Sequence, residues 1–510
     1  DSFSDYPYML NTNLPVAMEA KPVKKKKIRG RKSKQAEVIQ EEEAELDTSI
    51  NTEQPDADGT ETGEVFTNIV GRLCVIGSLI HYDVTTDEIR RRASMPEAFT
   101  HTHIGPLLKR GKVAGTGDEL RKLLEKQAIA LPDGQAVNRK QYALTTLSAL
   151  LEAESVQLSA DHRELLLAHL PLRSLALLMM RTMRSPAALA AAAGETSAAR
   201  TAMSSFSSVL DEWTSGGGWK GGRAAILASP LRTFAYATHA LGVEECRLMA
   251  TIFTKFLQAL EEEISALLER VNAAGYGSAV HLHQFPAGID LPPIPEGLIC
   301  LPDWTEEAAG STSFAETSGR LTLNNKRYNV TVAEVYRRVR QPECFNLSIL
   351  GSLLKKAKTA NNCEKLFDQL KEHKILLAAG RRKNARNRTF TALLEGEALA
   401  LASDLEAEAG RSFPAKNLIA EIVRGTPRDD VDERRYGFAA ASGIARSLRE
   451  TVLSLRLPVA DRIPHAVSDD AHVIFEYCQL THGYGPDALM SWMRIFGDLF
   501  EKTADKLGRE

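Results

Sequence analysis

Aromatic residues are scarce in this chain of 510 residues, at 6% of the total against 44% hydrophobic overall. Leu, Ala and Ile must therefore build the core, a composition that suits helix packing. Cysteine is also rare. Cys74, Cys246, Cys300, Cys344, Cys363 and Cys478 are scattered with no Cys-x-x-Cys pair. That argues against a disulfide framework or a zinc ribbon and reads as reduced, buried thiols of an intracellular protein. No apolar run reaches the roughly 18 residues of a membrane helix. The start of the chain lacks the apolar core and cleavage site of a secretory signal. No membrane contact is expected. The formal net charge of only −3 says nothing about partners, because the charge is segregated along the chain. Catalytic signatures are missing as well. There is no His-Glu-x-x-His, Gly-x-Ser-x-Gly or dinucleotide fingerprint in proper context. Glu395 and Glu397 lie two apart and diverge on a helix, and His101 and His103 lack further ligands. We expect no enzyme, no metal and no cofactor.

What is present is present twice. Val84-Thr85-Thr86-Asp87-Glu88-Ile89-Arg90-Arg91-Arg92 is echoed by Val330-Thr331-Val332-Ala333-Glu334-Val335-Tyr336-Arg337-Arg338. Without a slip, Pro96-Glu97 answers Pro342-Glu343, Gly105 answers Gly351, and Leu108-Lys109-Arg110 answers Leu354-Lys355-Lys356. Beyond a loop the match resumes: Glu152-Ala153-Glu154 with Glu395-Gly396-Glu397, Leu170-Pro171 with Phe413-Pro414, and Thr238-His239 with Thr481-His482. A repeat this long is a duplicated domain, not a solenoid unit of about 20–50 residues.

The boundaries follow from composition. Residues 1–63 read as a disordered tail, a basic run followed by an acidic one. The basic run holds Lys24, Lys25, Lys26, Lys27, Arg29, Arg31 and Lys32. It is a candidate nuclear-import signal. A minor-groove hook around Arg29-Gly30-Arg31, with Lys32 where the hook has proline, and a plain solvated run are the alternatives. The first copy spans residues 64–276 and the second 311–510, with a Pro-rich linker over 277–310. The glycines between Thr214 and Gly222 read as a flexible connector, since a phosphate loop needs a different spacing.

Within each copy the reading is mainly α. In the second copy the periodicity predicts helices over Val330–Arg340, Ser348–Lys358, Phe390–Leu405, Tyr436–Leu455 and Ala471–Leu507, with a polar, Pro-bearing span over Arg456–Asp470. In the first, Leu231–Val271 is the last helical stretch. Cations cluster between these apolar segments: Arg337, Arg338 and Arg340; Lys355, Lys356 and Lys358; Arg381, Arg382, Lys383, Arg386 and Arg388. One such cluster is ordinarily a solvated helix face. Three within a short stretch can converge and neutralise several phosphates. The first copy keeps Arg91, Arg92, Lys109, Arg110 and Lys112 but has Gln135-Ala136-Val137 where the second has Arg-Arg-Lys.

These motifs resemble a known family. Val330 to Val335 with Arg337-Arg338, Pro342-Glu343-Cys344, Leu350-Gly351, Ala379-Gly380-Arg381-Arg382-Lys383, Leu394 to Ala398, Phe413-Pro414-Ala415-Lys416 and Thr481-His482-Gly483-Tyr484-Gly485 are similar, in order and spacing, to the activator protein 2 (activating enhancer-binding protein 2) transcription factors. Gly319-Arg320-Leu321 and, in the first copy, Gly71-Arg72-Leu73 echo the lead-in. The resemblance covers about 200 residues of the second copy; the first is more divergent. It implies tandem helical domains, each with a basic region and a helix-span-helix dimerisation unit. It further implies a nuclear regulator of RNA polymerase II genes that binds GC-rich double-stranded DNA and meets transcriptional co-regulators. Where the family has paired arginines this chain has Lys355-Lys356, which suits phosphate better than bidentate guanine contact. The DNA contacts implied are Arg337, Arg338, Lys355, Lys356, Lys358, Arg381, Arg382, Lys383, Arg386 and Arg388, with Arg91, Arg92, Lys109, Arg110 and Lys112 in the first copy. Two copies in one chain suggest intrachain pairing in place of a homodimer or heterodimer. The rival reading is a dimerising or corepressor-recruiting scaffold that binds DNA weakly.

Overall fold

Each copy opens with a strand pair that the helical reading missed. In the computed structural model β1 (Val65–Val70) pairs antiparallel with β2 (His81–Thr85), and β3 (Ser313–Ser318) with β4 (Arg327–Thr331). Both ladders carry an irregularity at the same place, after Val65 and after Ser313. The structure describes residues 64–75, 80–109, 116–132, 144–274, 284–285, 288–294, 312–356, 359–377, 387–460 and 469–509. Both copies fall in one unit, Glu61–Glu510.

Each second strand runs straight into a helix, α1 (Thr86–Ala93) in the first copy. Thr85 sits in extended conformation and its hydroxyl accepts from the Glu88 backbone N–H at 3.1 Å. This Thr-x-x-Glu start satisfies one of the orphan donors of a helix N-terminus. Two short helices follow, α2 (His101–Leu107) and α3 (Thr116–Lys126). The longer helices come next: α4 (Glu152–His169), α5 (Leu172–Met180), α6 (Pro186–Thr214), α7 (Gly218–Ala228), α8 (Arg232–Ala237) and α9 (Leu241–Ala273). The second copy repeats the plan with α10 (Val332–Val339), α11 (Leu347–Leu353), α12 (Ala360–Glu372), α13 (Glu395–Ser412), α14 (Ala415–Arg424), α15 (Val431–Ser454), α16 (His472–Leu480) and α17 (Tyr484–Leu507). Thr331 starts α10 as Thr85 starts α1, accepting from Glu334 N at 3.0 Å.

Two details depart from the sequence expectation. The glycine segment after Thr214 is not a free connector: Gly218 begins α7. Trp219 is buried there, and a Cβ at Gly222 would fall 1.7 Å from the Thr214 carbonyl oxygen. Glycine is needed at that position for close backbone approach. The last helical stretch of each copy is also broken, by His239 and Ala240 at φ 50° and 73° into α8 and α9, and by His482 and Gly483 at φ 55° and 87° into α16 and α17.

The apolar side chains sort into two satellite cores and one shared core. Phe66, Val84, Ile89, Phe99, Ile104 and Leu124 pack under the first hairpin. Phe314, Val330, Val335, Phe345, Leu350 and Leu366 do so under the second. A large third cluster draws on both copies, from Leu73 to Leu267 and from Leu321 to Leu507. At its centre α6 lies between α9 and α15, and α15 against α17. The approach across copies is close: a Cβ at Gly437 in α15 would fall 2.6 Å from the Ala198 carbonyl oxygen in α6. Phe206 of α6 meets Phe496 and Phe500 of α17 edge-on, with ring centroids 5.3 and 5.4 Å apart. Part of the Pro-rich linker packs here too, as Phe285, Ile289, Leu291 and Ile294 lie on the shared core. The helix-span-helix region is α15 to α17, with residues 461–468 of its span outside the described residues.

Polar contacts between the copies are reciprocal. Thr146 donates from its backbone N and its hydroxyl to Asp404 Oδ2, at 2.8 and 2.7 Å. Thr389, the counterpart of Thr146, donates in the same way to Asp161 Oδ2, the counterpart of Asp404, at 2.7 and 2.8 Å. Residue i meeting j while j's twin meets i's twin is the signature of an isologous interface. Removing the acceptor leaves two donors unsatisfied, in a buried site at Asp161 and a part-buried one at Asp404, at about 1–3 kcal/mol for each. Asp161→Ala and Asp404→Ala should each lower the free energy of urea unfolding by about 2–6 kcal/mol. Wild-type stability in both variants would show that the reciprocal contacts contribute nothing.

Candidate nucleic-acid interface

The arginine pairs that sequence places first among the DNA contacts are largely withdrawn from solvent. Arg92 and Arg338 are each 1% exposed. Arg92 donates to Glu97 at 3.2 Å, to Glu88 at 3.2 Å, to His239 Nε2 at 2.5 Å and to the Leu150 carbonyl oxygen. Arg338 repeats this with Glu343 at 3.2 Å, Glu334 at 3.3 Å, His482 Nε2 at 2.5 Å and the Leu393 carbonyl oxygen. Arg91 forms a bidentate pair with Glu152 at 2.7 and 2.6 Å, and Arg337 one with Glu395 at 2.7 and 2.5 Å. Their positions on α1 and α10 look like a basic face. The carboxylates that claim them sit one turn away, in the Pro-Glu turn, or at the start of α4 and α13. A charge at this depth persists only when paired and hydrogen-bonded. In this structure Arg92, Arg337 and Arg338 are buried, Arg91 is part-exposed, and all four guanidiniums are engaged by carboxylates.

The electrostatics match that role. Burial pushes the Glu88 and Glu334 carboxyls up to about 7. Against the same burial, Arg337 holds Glu395 below the usual carboxylate range. Burial, with the adjacent arginine, lowers His239 and takes His482 well below its ordinary 6.5. Both rings therefore stay neutral and accept from Arg92 and Arg338. Glu395 and Glu397 take separate structural tasks. Glu395 binds Arg337 and accepts from Ala460 N at 2.6 Å, while Glu397 accepts from Leu321 N at 2.5 Å.

The lysines behave differently. Lys109 and Lys355 close α2 and α11 with φ of 52° each. Both are exposed at the residue level. Lys109 Nζ donates to the Gly71 carbonyl at 2.7 Å and Lys355 Nζ to that of Gly319 at 2.8 Å. Arg72 and Arg320, which the reading by charge clusters passed over, stand beside them. Arg72 donates to the Pro106 carbonyl at 2.6 Å and Arg320 to those of Ser352 and Ala392 at 3.0 and 2.9 Å. The signal was available in the repeated Gly-Arg-Leu tripeptide. The two copies bring these groups together. Part-burial first, then Arg320, and further off Arg72 and Lys109, press the Lys355 ammonium below its ordinary range. Lys109 is lowered likewise by burial, Arg72 and Arg320. Glu154 and Glu397 lie among these cations, and burial raises both. Cations crowded around two buried carboxyls that also serve the backbone would gain from a phosphate.

Lys356 is half-buried, with Nζ donating to Gln369 Oε1 at 3.1 Å and lying 6.0 Å from the Phe314 ring centroid. Arg388 is spent on the other copy, donating to Glu164 at 2.8 Å. Arg110, Lys112, Lys358, Arg381, Arg382, Lys383 and Arg386 lie outside the described residues. So does the import candidate Lys24, Lys25, Lys26, Lys27, Arg29, Arg31 and Lys32. Of the thiols, Cys74, Cys246 and Cys478 are buried as expected, but Cys363 is exposed and Cys344 intermediate.

Comparison with known proteins agrees with the repeat. A family model described as Transcription factor AP-2 matches the chain twice, over residues 66–260 and 314–503. Transcription factor AP-2-epsilon of Danio rerio is 34% identical over 187 residues, 36% of this chain and 44% of that protein. Transcription factor AP-2 gamma of Mus musculus is 33% identical over 202 residues, 38% of this chain and 45% of that protein. Transcription factor AP-2-epsilon of Homo sapiens is 29% identical over 307 residues, 54% of this chain and 69% of that protein. The chain spans less than half the length of the first two. These relatives are named as transcription factors, which agrees with the expectation that the chain is not an enzyme.

The neutral histidines make stability pH-dependent with a defined sign. A folded His482 held well below 6.5 leaves the unfolded chain binding more protons as pH falls. Its contribution is therefore complete above about 6.5 and is lost toward acid. Glu88 and Glu334, pushed up to about 7, act oppositely, but that term is common to wild type and a His482 variant. The stability advantage of wild type over His482→Gln in urea should be largest near pH 8 and shrink toward about pH 5. An advantage that does not change with pH would contradict the neutral assignment.

Proposed function

The chain belongs to the transcription factor AP-2 family, and from that premise we propose that it is a nuclear, sequence-specific DNA-binding regulator of RNA polymerase II genes. It reads a GC-rich pseudo-palindrome, and its two copies pair within the chain as a pseudo-dimer. The observation that carries the reading is that Lys109 and Lys355 are exposed at equivalent positions of the two copies, each held by the glycine carbonyl of its own lead-in. Reciprocal contacts of Thr146 with Asp404 and Thr389 with Asp161 support pairing about an approximate two-fold, the symmetry of a palindromic site. Direct contacts fall to Lys109, Lys355 and Lys356, and to Arg381, Arg382, Lys383, Arg386, Lys358, Arg110 and Lys112. Arg91, Arg92, Arg337 and Arg338 hold the elements that carry them. The basic run from Lys24 to Lys32 directs nuclear import, and the protein meets co-regulators there.

Burial of the arginines favours a second reading, a pairing or corepressor-recruiting scaffold with weak affinity for DNA. The two separate in one titration. Binding of the full chain to a GC-rich palindromic duplex is measured across a salt series. Lys109→Ala with Lys355→Ala should weaken binding and reduce the slope of log affinity against log salt by about 0.9 for each phosphate no longer neutralised. Arg381→Ala with Arg382→Ala should do the same. Unchanged affinity and slope in both double variants would favour the scaffold. A solution mass of one chain is expected; a dimer with each chain's copies apart would contradict intrachain pairing.

A further inference from the structure

The two halves of the shared interface are related by the duplication and share the Thr-Asp contact, yet beside it one carries a buried histidine network and the other does not. On one side His162 of α4 stands wholly buried between Glu245 of α9 and Tyr477 of α16. His162 Nδ1 lies 2.8 Å from Glu245 Oε2 and Nε2 lies 2.7 Å from Tyr477 Oη. As a neutral ring the imidazole donates from Nδ1 to Glu245, and the Tyr477 hydroxyl donates to Nε2. Burial, followed by the neighbouring Glu245, raises Tyr477 well above the ordinary phenol range, which keeps that proton in place. Tyr484 meets the His162 ring edge-on at 5.1 Å, and Phe390 lies 5.8 Å from it. His162 and Glu245 belong to the first copy; Tyr477, Tyr484 and Phe390 belong to the second.

The counterparts on the opposite side are Leu405 for His162, Ala488 for Glu245, Phe234 for Tyr477, Leu241 for Tyr484 and Leu147 for Phe390. All five are apolar and buried in the shared core. They come from the same pairs of elements, α13 against α8 and α13 against the turn at Leu147–Ala149. At these five positions one seam is therefore a hydrogen-bonded chain and the other is hydrocarbon.

We propose that this asymmetric pair of seams selects unlike copies as partners, so that a first copy accepts a second copy in preference to another first, and a second rejects another second. The inference rests on the intrachain pairing proposed above and adds its source of selectivity. Pairing two first copies would set each His162 against Phe234 and Leu241. The imidazole Nε2 would then lose its donor. Pairing two second copies would set each Tyr477 hydroxyl against Leu405, with no acceptor. Either combination places unsatisfied polar groups in a core on both seams at once, where they are costly. Specificity of this kind comes from what the wrong pair cannot satisfy. A buried polar residue that fixes which helices associate is its best-attested form.

The test swaps seams within the full chain and follows urea unfolding. Tyr477→Phe with Tyr484→Leu gives the second copy the first copy's face and reproduces a like pair at the polar seam. His162→Leu with Glu245→Ala gives the first copy the second copy's face. Each half-swap should lower the unfolding midpoint. The complete swap of all four residues makes the seam match its apolar counterpart and should recover at least about half of the summed loss. A complete swap that folds where a half-swap does not is the same result in stronger form. Half-swaps that lose nothing, or a complete swap whose loss is close to the sum of the two, would overturn the proposal. The two readings fail separately. A wild-type chain that is dimeric in solution overturns intrachain pairing but still obeys this cycle when unlike copies meet across chains. Additive losses in a monomeric chain overturn the selectivity alone.

Discussion

One guanidinium sits at the heart of each copy, and the rest of that copy is arranged to receive it. Arg92 and Arg338 draw on their own helix through Glu88 and Glu334, and on the following turn through Glu97 and Glu343. They also reach a carbonyl before α4 or α13, and the histidine before α9 or α17. The carboxylates are local, but the carbonyl lies 58 or 55 residues away in sequence and the histidine 147 or 144. The arginine therefore joins the small hairpin-and-helix part that carries the lysines to the helical part that carries the pairing surface. Burying this charge without partners is prohibitive, and removing one partner from such a set typically costs about 3–5 kcal/mol. The histidine completes the set because it stays neutral, so that a ring nitrogen remains free to accept.

This arrangement divides labour among the cations. Those on α1 and α10 orient the domain, and those that end α2 and α11 face outward. Arg388 joins copy to copy. In each copy a buried glutamate, Glu154 of α4 or Glu397 of α13, accepts from the backbone of the lead-in whose glycine carbonyl receives the lysine.

Much of this was legible in the sequence and some was not. The duplication is plain in the aligned motifs, and α9, α15 and α17 follow from apolar periodicity. The hairpins were hidden because strands of five or six residues, such as Ser313–Ser318, bury few side chains and show little alternation. The glycines after Thr214 looked flexible because composition does not reveal that Gly222 lies against the chain's own carbonyl. Arg337 and Arg338 illustrate the deepest limit. Charge is visible in a sequence but burial is not, and Glu395, which claims Arg337, is remote along the chain. Contacts such as Thr389 to Asp161 have no local signature and emerge only when the two copies are placed together.

A core assembled from two halves of one polypeptide has no dilution threshold. Partners on separate chains part when their concentration falls below the dissociation constant, whereas linked halves meet at an effective concentration set by the connector, commonly in the millimolar range for short flexible ones. Ile289, Leu291 and Ile294 of the linker lie on that core. On the proposed intrachain pairing, a protein built this way keeps its shared core at any abundance.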